Sequence, residues 1–227
     1  GLGVFKLLEK GFQLISDSMD RAVARYDTLE RFPQIMEQMG FGAEDASSSI
    51  SKLSDGVQGL PTALDEITGS TQRIASMTGD LEGATDLTLA LNNAFLASGA
   101  NADAASRGLE QYMQIISRGK PEMEDWKTIQ ETMPYALQQV AESFGFAGTS
   151  ATRDFYSALL EGEITVEQMN ARFVELSTAT GGFAELAKTA TGGINTAFTN
   201  LRNRTAAGLA DIIKAIDTGF SKTRFKS

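Results

Sequence analysis

Apolar residues at the start of the chain recur with the period of one helix face. Phe5, Leu8, Phe12, Ile15, Met19, Ala22, Tyr26 and Leu29 are separated by 3, 4, 3, 4, 3, 4 and 3 positions. That spacing lines one side of a long α-helix, in the manner of a coiled-coil seam. Lys10, Asp17, Arg21 and Arg25 occupy polar positions between them. Large aromatics at such positions suit a two-stranded dimer poorly, so docking on the same chain and pairing with another copy both stay open. Pro33 is expected to end or kink this helix, because its ring clashes with the preceding turn and it lacks an N–H.

The pattern stays helical downstream. Ile50, Leu53 and Val57 share one face within a Ser/Gly-rich stretch from Gly40 to Pro61. Thr62 to Met77 reads as a helix ended by Gly79, and Asp80 starts the next, with Leu81, Ala84, Leu87, Leu91 and Ala94 or Phe95 on its buried side. Asn101 is a cap, with Asp103 near the helix dipole, for a helix that buries Ala105, Leu109, Tyr112 and Ile116 and stops at Gly119. Pro121 reads as a first helical residue, followed by Met123, Trp126, Ile129 and Met133 on one face. Met133-Pro134 marks a break; Tyr135 to Phe144 is helical again, and a short helix runs from Thr149 to Leu160. Thr165 and Gln168 form a capping-box pattern ahead of Val166, Met169, Phe173 and Leu176. Gly181-Gly182 and Gly192-Gly193 read as punctuation. Ile194, Phe198, Leu201, Thr205, Leu209, Ile212 and Ile216 then line a second long amphipathic helix.

No run alternates in the manner of a strand, and no hairpin turn joins two such runs. The expected fold is all-α: a compact domain of short helices over 40–191, flanked by a long amphipathic N-terminal helix (1–39) and an amphipathic C-terminal helix with a basic end (192–227).

Composition narrows the chemistry. The 227 residues include no Cys, which excludes disulfides and thiolate metal sites, and no His, which removes the commonest general base and metal ligand. An enzyme is therefore not expected. The net charge of −9 is unevenly spread. Residues 41–200 carry nine basic against twenty-one acidic groups, whereas residues 201–227 carry six basic against two acidic. An acidic body repels phosphates, so specific nucleic-acid binding is not expected. The basic end suits an anionic partner, but a solvated helix terminus explains it as well. No apolar run is long enough for stable membrane insertion. The start at Gly1 lacks the pattern of a signal peptide and suggests a segment of a longer protein.

The carboxylates that invite a catalytic or metal reading have simpler explanations. Glu122, Glu124 and Asp125 follow Pro121 and complement a helix dipole. Glu161 and Glu163 flank Gly162 without the oxygen-ligand spacing of a calcium loop. The glycine pairs fit neither the phosphate loop nor the dinucleotide fingerprint. Gly148-Thr149-Ser150 lacks a second Gly and a His to activate Ser150. Trp126 reads as a packing residue, and the eight Met residues as gap fillers on apolar faces. No catalytic residue, cofactor or metal site is expected. The packing and interaction candidates are Phe5, Leu8, Phe12, Ile15, Met19, Tyr26, Leu29 and Trp126.

An ordered series of short words carries a family resemblance. Tyr26-Asp27-Thr28-Leu29, Leu60-Pro61, Gln72-Arg73-Ile74-Ala75, Gln111-Tyr112-Met113-Gln114 and Gly119-Lys120-Pro121 come first. Glu124-Asp125-Trp126-Lys127, Met133-Pro134, Leu159-Leu160-Glu161-Gly162-Glu163-Ile164-Thr165, Gly181-Gly182-Phe183-Ala184 and Thr191-Gly192-Gly193 continue it. Together they resemble the tape-measure domain of tail tape-measure proteins of bacteriophages and prophages, over roughly residues 20–210. The resemblance implies a structural protein of the virion that lies in the tail lumen, is assembled in the host bacterial cytoplasm, and meets tail-tube and tail-assembly proteins. Self-association through the terminal helices fits this setting. A helix converts chain length into distance at about 1.5 Å per residue, so the segment is expected to be a folded module of a longer ruler. Two other readings compete: a peptidoglycan-lytic enzyme using Glu124, Glu142 or Glu163, and a secreted bacterial helical-bundle adaptor.

Overall fold

The computed structural model describes residues 2–192 together with 207, 208 and 211, apart from the side chains of eight residues between 2 and 18. Most of the C-terminal helix expected over 192–227 therefore lies outside the described residues. Every regular element described is helical, and no strand occurs among these residues. The helices are α1 (Leu2–Gln38), α2 (Ala43–Gly56), α3 (Leu64–Thr78), α4 (Leu81–Ala97), α5 (Ala102–Arg118), α6 (Met123–Thr132), α7 (Pro134–Ser143), α8 (Ala151–Glu161), α9 (Val166–Thr178) and α10 (Phe183–Ala190). A 3-10 turn, Gly148–Ser150, leads into α8.

Local chemistry sets most of the boundaries. The Asp80 carboxylate accepts from the Gly83 N–H at 2.9 Å, and the Asn101 side chain accepts from the Ala104 N–H at 2.8 Å. Each bond satisfies a backbone donor that the first helical turn leaves open. Thr165 and Gln168 close a reciprocal capping box at 3.1 and 2.9 Å. At the α6–α7 junction Met133 adopts φ −137°, ψ 55°, outside the helical region, and Pro134 takes the first position of α7, where a missing N–H costs nothing.

Pro33 does not end α1, which runs five residues further to Gln38. A proline inside a helix costs about 3 kcal/mol. Here Phe32 and Met36 are buried on either side of it, with Leu29 and Ile35 packed against the core. Burying Phe32 and Met36 contributes about 1.5–3 kcal/mol each, enough to offset the lost bond.

Helix α4 is the centre of the assembly, contacting α2, α3, α5, α7, α9 and α10. The one-sided burial expected for it is too narrow. Beyond Leu81, Ala84, Leu87, Leu91, Ala94 and Phe95, the helix also buries Thr85, Thr88, Ala90, Asn92, Asn93 and Leu96. Most of its buried polar groups find partners, although the Asn92 Nδ2 has none among the described residues. Thr85 bonds Ser49 at 2.6 Å, Thr88 donates to the Ala84 carbonyl at 2.7 Å, and Asn92 accepts from Thr62 at 2.8 Å. Asn93 reaches Ser177 at 3.4 Å.

Helix α10 falls where the sequence reads only as glycine punctuation. The two glycines before it have separate roles. Gly181 adopts φ 70°, a left-handed conformation that other residues resist. Gly182 has an ordinary φ of −78°, but a Cβ there would lie 2.2 Å from the Leu176 carbonyl oxygen and 2.7 Å from that of Ala179. The missing side chain lets the chain turn against the end of α9 and lay Phe183 and Ala187 on α4, both buried.

Candidate packing and interaction site

The stretch from α5 to α7 is held by an ion pair as well as by its core. Arg118, the last residue of α5, pairs with Asp125 in the first turn of α6. The same carboxylate oxygen accepts from the Glu122 N–H at 3.1 Å. Asp125 is only 4% exposed, so it is a buried, doubly bonded anchor rather than a solvated dipole partner. This reach-back makes Glu122 the cap and starts α6 at Met123. Pro121 consequently precedes the helix instead of opening it.

Trp126 is 2% exposed. Its ring meets Phe155 edge-on at 5.7 Å and Tyr156 at 5.4 Å; Phe155 also stacks on Phe144 at 5.4 Å. Offset and edge-on contacts of this kind add to the burial of the rings themselves. Ile129 and Met133 are buried with Trp126, but Met123, expected on the same face, is exposed because α6 turns its first residue away from the core. In α5 the Tyr112 hydroxyl donates to the Asn170 side-chain oxygen at 2.7 Å, and its ring meets Phe173 edge-on. Burial pushes the Tyr112 phenol well above its usual pKa. Ile115 is fully buried, and Ile116 only partly so.

The candidates on α1 fall into different surroundings. Leu8 is 56% and Met19 40% exposed, whereas Tyr26 and Leu29 are half-buried and Leu29 packs against the core. The side chains of Phe5, Phe12 and Ile15 lie outside the described residues. Two further exposed residues, Val4 and Val23, belong with Leu8 and Met19. At about 100° per residue these four fall within roughly a third of the helix circumference. A wider apolar stripe would have found them from sequence. Among the described residues α1 meets α2 and α3, with Phe32 and Met36 buried in the core.

Beside α1 lie two clefts. One, of about 360 Å³, is bounded by Asp20, Arg21, Ala24 and Arg25 of α1, the α2–α3 connection and the start of α3. The other, of about 500 Å³, runs from Arg21 and Glu66 to Asp103 and to Ala190 and Thr191 after α10. Arg25 donates to the Ser54 hydroxyl at 2.7 Å. Burial lowers its pKa, and the charges of Asp211 and Asp55 oppose the fall. Glu66 is shifted upward, first by burial and then by Asp65 and Asp103, with Arg21 pulling the other way.

The carboxylates considered for chemistry are dispersed. Glu122, Glu124, Glu161 and Glu163 are exposed, and exposed Glu142 accepts from Gln138 at 2.8 Å. Among the described residues no group of three His, Cys, Asp or Glu side chains could hold a metal ion, and no helix is long and apolar enough to cross a membrane. What the arrangement offers is packing and helix surface.

No curated protein and no solved structure matches this chain. The family description "Tape measure protein" matches residues 20–214, from within α1 past α10. That span covers most of the 227 residues, and the chain belongs to the tape measure protein family, structural proteins of the phage tail.

Proposed function

We propose that this chain is a folded module of a phage-tail ruler, helping to set tail length and to assemble the tail tube through protein–protein contacts. The observation that carries this reading is the family match over residues 20–214, joined to a 37-residue helix on which Val4, Leu8, Met19 and Val23 are exposed. At about 1.5 Å per residue that helix extends for roughly 55 Å, a fixed length within a longer rod. In this reading residues 1–39 and 192–227 are helices leading into and out of a compact body over 40–191. Their partners are tail-tube and tail-assembly proteins, met in the host cytoplasm during assembly and in the tail lumen of the virion. Glu124, Glu142 and Glu163, the carboxylates a lytic reading would use, are all exposed.

The test is genetic and metric. Removing helix-periodic residues that flank this module in the phage gene should shorten tails, measured by electron microscopy, in proportion to the number removed. Tails of unchanged length would overturn the ruler role.

A further inference from the structure

Three helices meet around one buried amide. Helices α3, α4 and α5 contact one another, and Asn92 of α4 is only 4% exposed. Its side-chain oxygen accepts from the Thr62 hydroxyl at 2.8 Å, whereas its Nδ2 is buried and has no hydrogen-bond partner among the described residues. A donor left in that state gives up its hydration for nothing in return. Buried polar groups are for that reason nearly always paired, with protein or with an ordered water.

Asn92 and Thr62 line a pocket of about 20 Å³, together with Glu66 and Ser70 of α3 and Ser106 of α5. Buried Ile67 and Ala105 close it on the inside, and exposed Glu66 and Ser106 form its outer rim. A water needs about 10–15 Å³ open to its centre, so the pocket has room for one and not for two. The space exists because α5 offers the short side chains of Ala105 and Ser106 where it passes α3 and α4.

The lining also sets the chemistry of the occupant. Nδ2 donates, so the occupant must bring a lone pair. Thr62 already donates to Asn92, and Ser70 to the Glu66 carbonyl at 3.2 Å. These hydroxyls and the Glu66 carboxylate therefore offer acceptors, and the occupant must also bring an O–H. A metal ion cannot receive an N–H. A carboxylate or phosphate would face the Glu66 charge and outgrow the space. Water accepts, donates and fits.

We propose that this pocket is a binding site for one ordered water, which accepts from Asn92 Nδ2 and donates to the Glu66 side of the pocket. The water joins α3, α4 and α5 by hydrogen bonds where the side chains of α5 are too small to pack. Turning the amide over only exchanges its two ends, and the water then donates to Oδ1 instead.

A high-resolution crystal structure of the full chain tests the site directly. It should show an ordered oxygen about 2.7–3.2 Å from the Asn92 amide and within the same reach of Glu66, Ser70 or Ser106. An Asn92 Nδ2 that donates straight to a protein group, or a pocket closed by its own side chains, would overturn the proposal. Urea denaturation gives an independent readout through the double variant Thr62→Val/Asn92→Leu. It removes the Thr62–Asn92 bond as a pair, so the remaining partner of the amide decides the sign. Displacing a well-held water by an apolar group should lower the urea midpoint. A midpoint equal to or above that of the unaltered chain would mean that the amide had no third partner, and would overturn the proposal too.

Discussion

Replacing Gly108 by Ala sets two effects against each other with opposite signs. Gly108 lies in the interior of α5 and is buried. Helix propensity alone favours Ala there by about 0.5–1 kcal/mol. A Cβ at this position, however, would sit 2.3 Å from Phe95 Cε1 and 2.7 Å from both Phe95 Cζ and Thr132 Oγ1. Carbon atoms in contact prefer about 3.5–4.0 Å, so the ring would have to retreat by more than about 1 Å. Phe95 is fully buried on α4, and the Thr132 hydroxyl is committed to the Thr128 carbonyl at 2.6 Å. Neither has room to give. Overpacking of this kind costs about 1–3 kcal/mol, which exceeds the propensity gain. The expected outcome is a net loss of about 1–2 kcal/mol, or a fall in Tm of roughly 2–8 °C for a chain of this size. Urea denaturation followed by helical circular dichroism and by fluorescence of the only Trp, Trp126, measures it. Gly69→Ala is the matched control. Gly69 is an exposed interior residue of α3, and a Cβ added there would meet nothing within 4 Å, so propensity should act alone and raise stability by about 0.5–1 kcal/mol. A Gly108→Ala protein as stable as the wild type, or gaining as much as Gly69→Ala, would refute the claim that α5 needs this close approach.

Asp125→Ala should lower stability by about 1–3 kcal/mol, because it leaves the Glu122 N–H without its acceptor and the Arg118 guanidinium with only the exposed Glu122 as partner; chemical denaturation checks this, and a loss under about 0.5 kcal/mol would deny the anchor. Gly182→Ala should cost about 2 kcal/mol or more by forcing a Cβ onto backbone oxygens, with faster hydrogen exchange in α10 than elsewhere as the local signature. Glu66→Gln tests the charge of the cleft. A carboxyl whose folded pKa is raised favours the fold while protonated, and this contribution is lost as pH rises through the folded value. The variant should therefore be slightly more stable than wild type at pH 7, by less than about 1 kcal/mol after solvent screening. The advantage should vanish below the ordinary glutamate range, and a gain that grows on acidification would contradict the assignment.

The legible parts of the fold were those written within one helical turn. Asp80, Asn101 and the Thr165–Gln168 pair announce helix starts because a cap acts over three residues, whatever lies further away. Met133-Pro134 is equally local. Helix α10 escaped notice because eight residues are too few to hold a helix alone; it exists through Phe183 and Ala187 buried on α4. Met123 and Trp126 share a helical face by spacing, yet only Trp126 meets Phe155 and Tyr156, contributed from across the α7 segment. On α1 the apolar period was readable, but not the split between residues anchored on α2 and α3 and exposed Leu8 and Met19.

The sequence by itself determined an all-helical chain, most of its breaks, the absence of His and Cys chemistry, and the ordered words of a tape-measure domain. These follow from side-chain chemistry and from bonds between near neighbours. Only the tertiary structure decided that α4 is enclosed on nearly all sides, that Pro33 is carried inside a continuous helix, and that Asp125 is a buried anchor. Each of those outcomes depends on partners supplied from elsewhere, such as Ser177 for Asn93, 84 positions away. Burial is a property of the assembled surfaces, and a helical period can specify a face without specifying what will cover it.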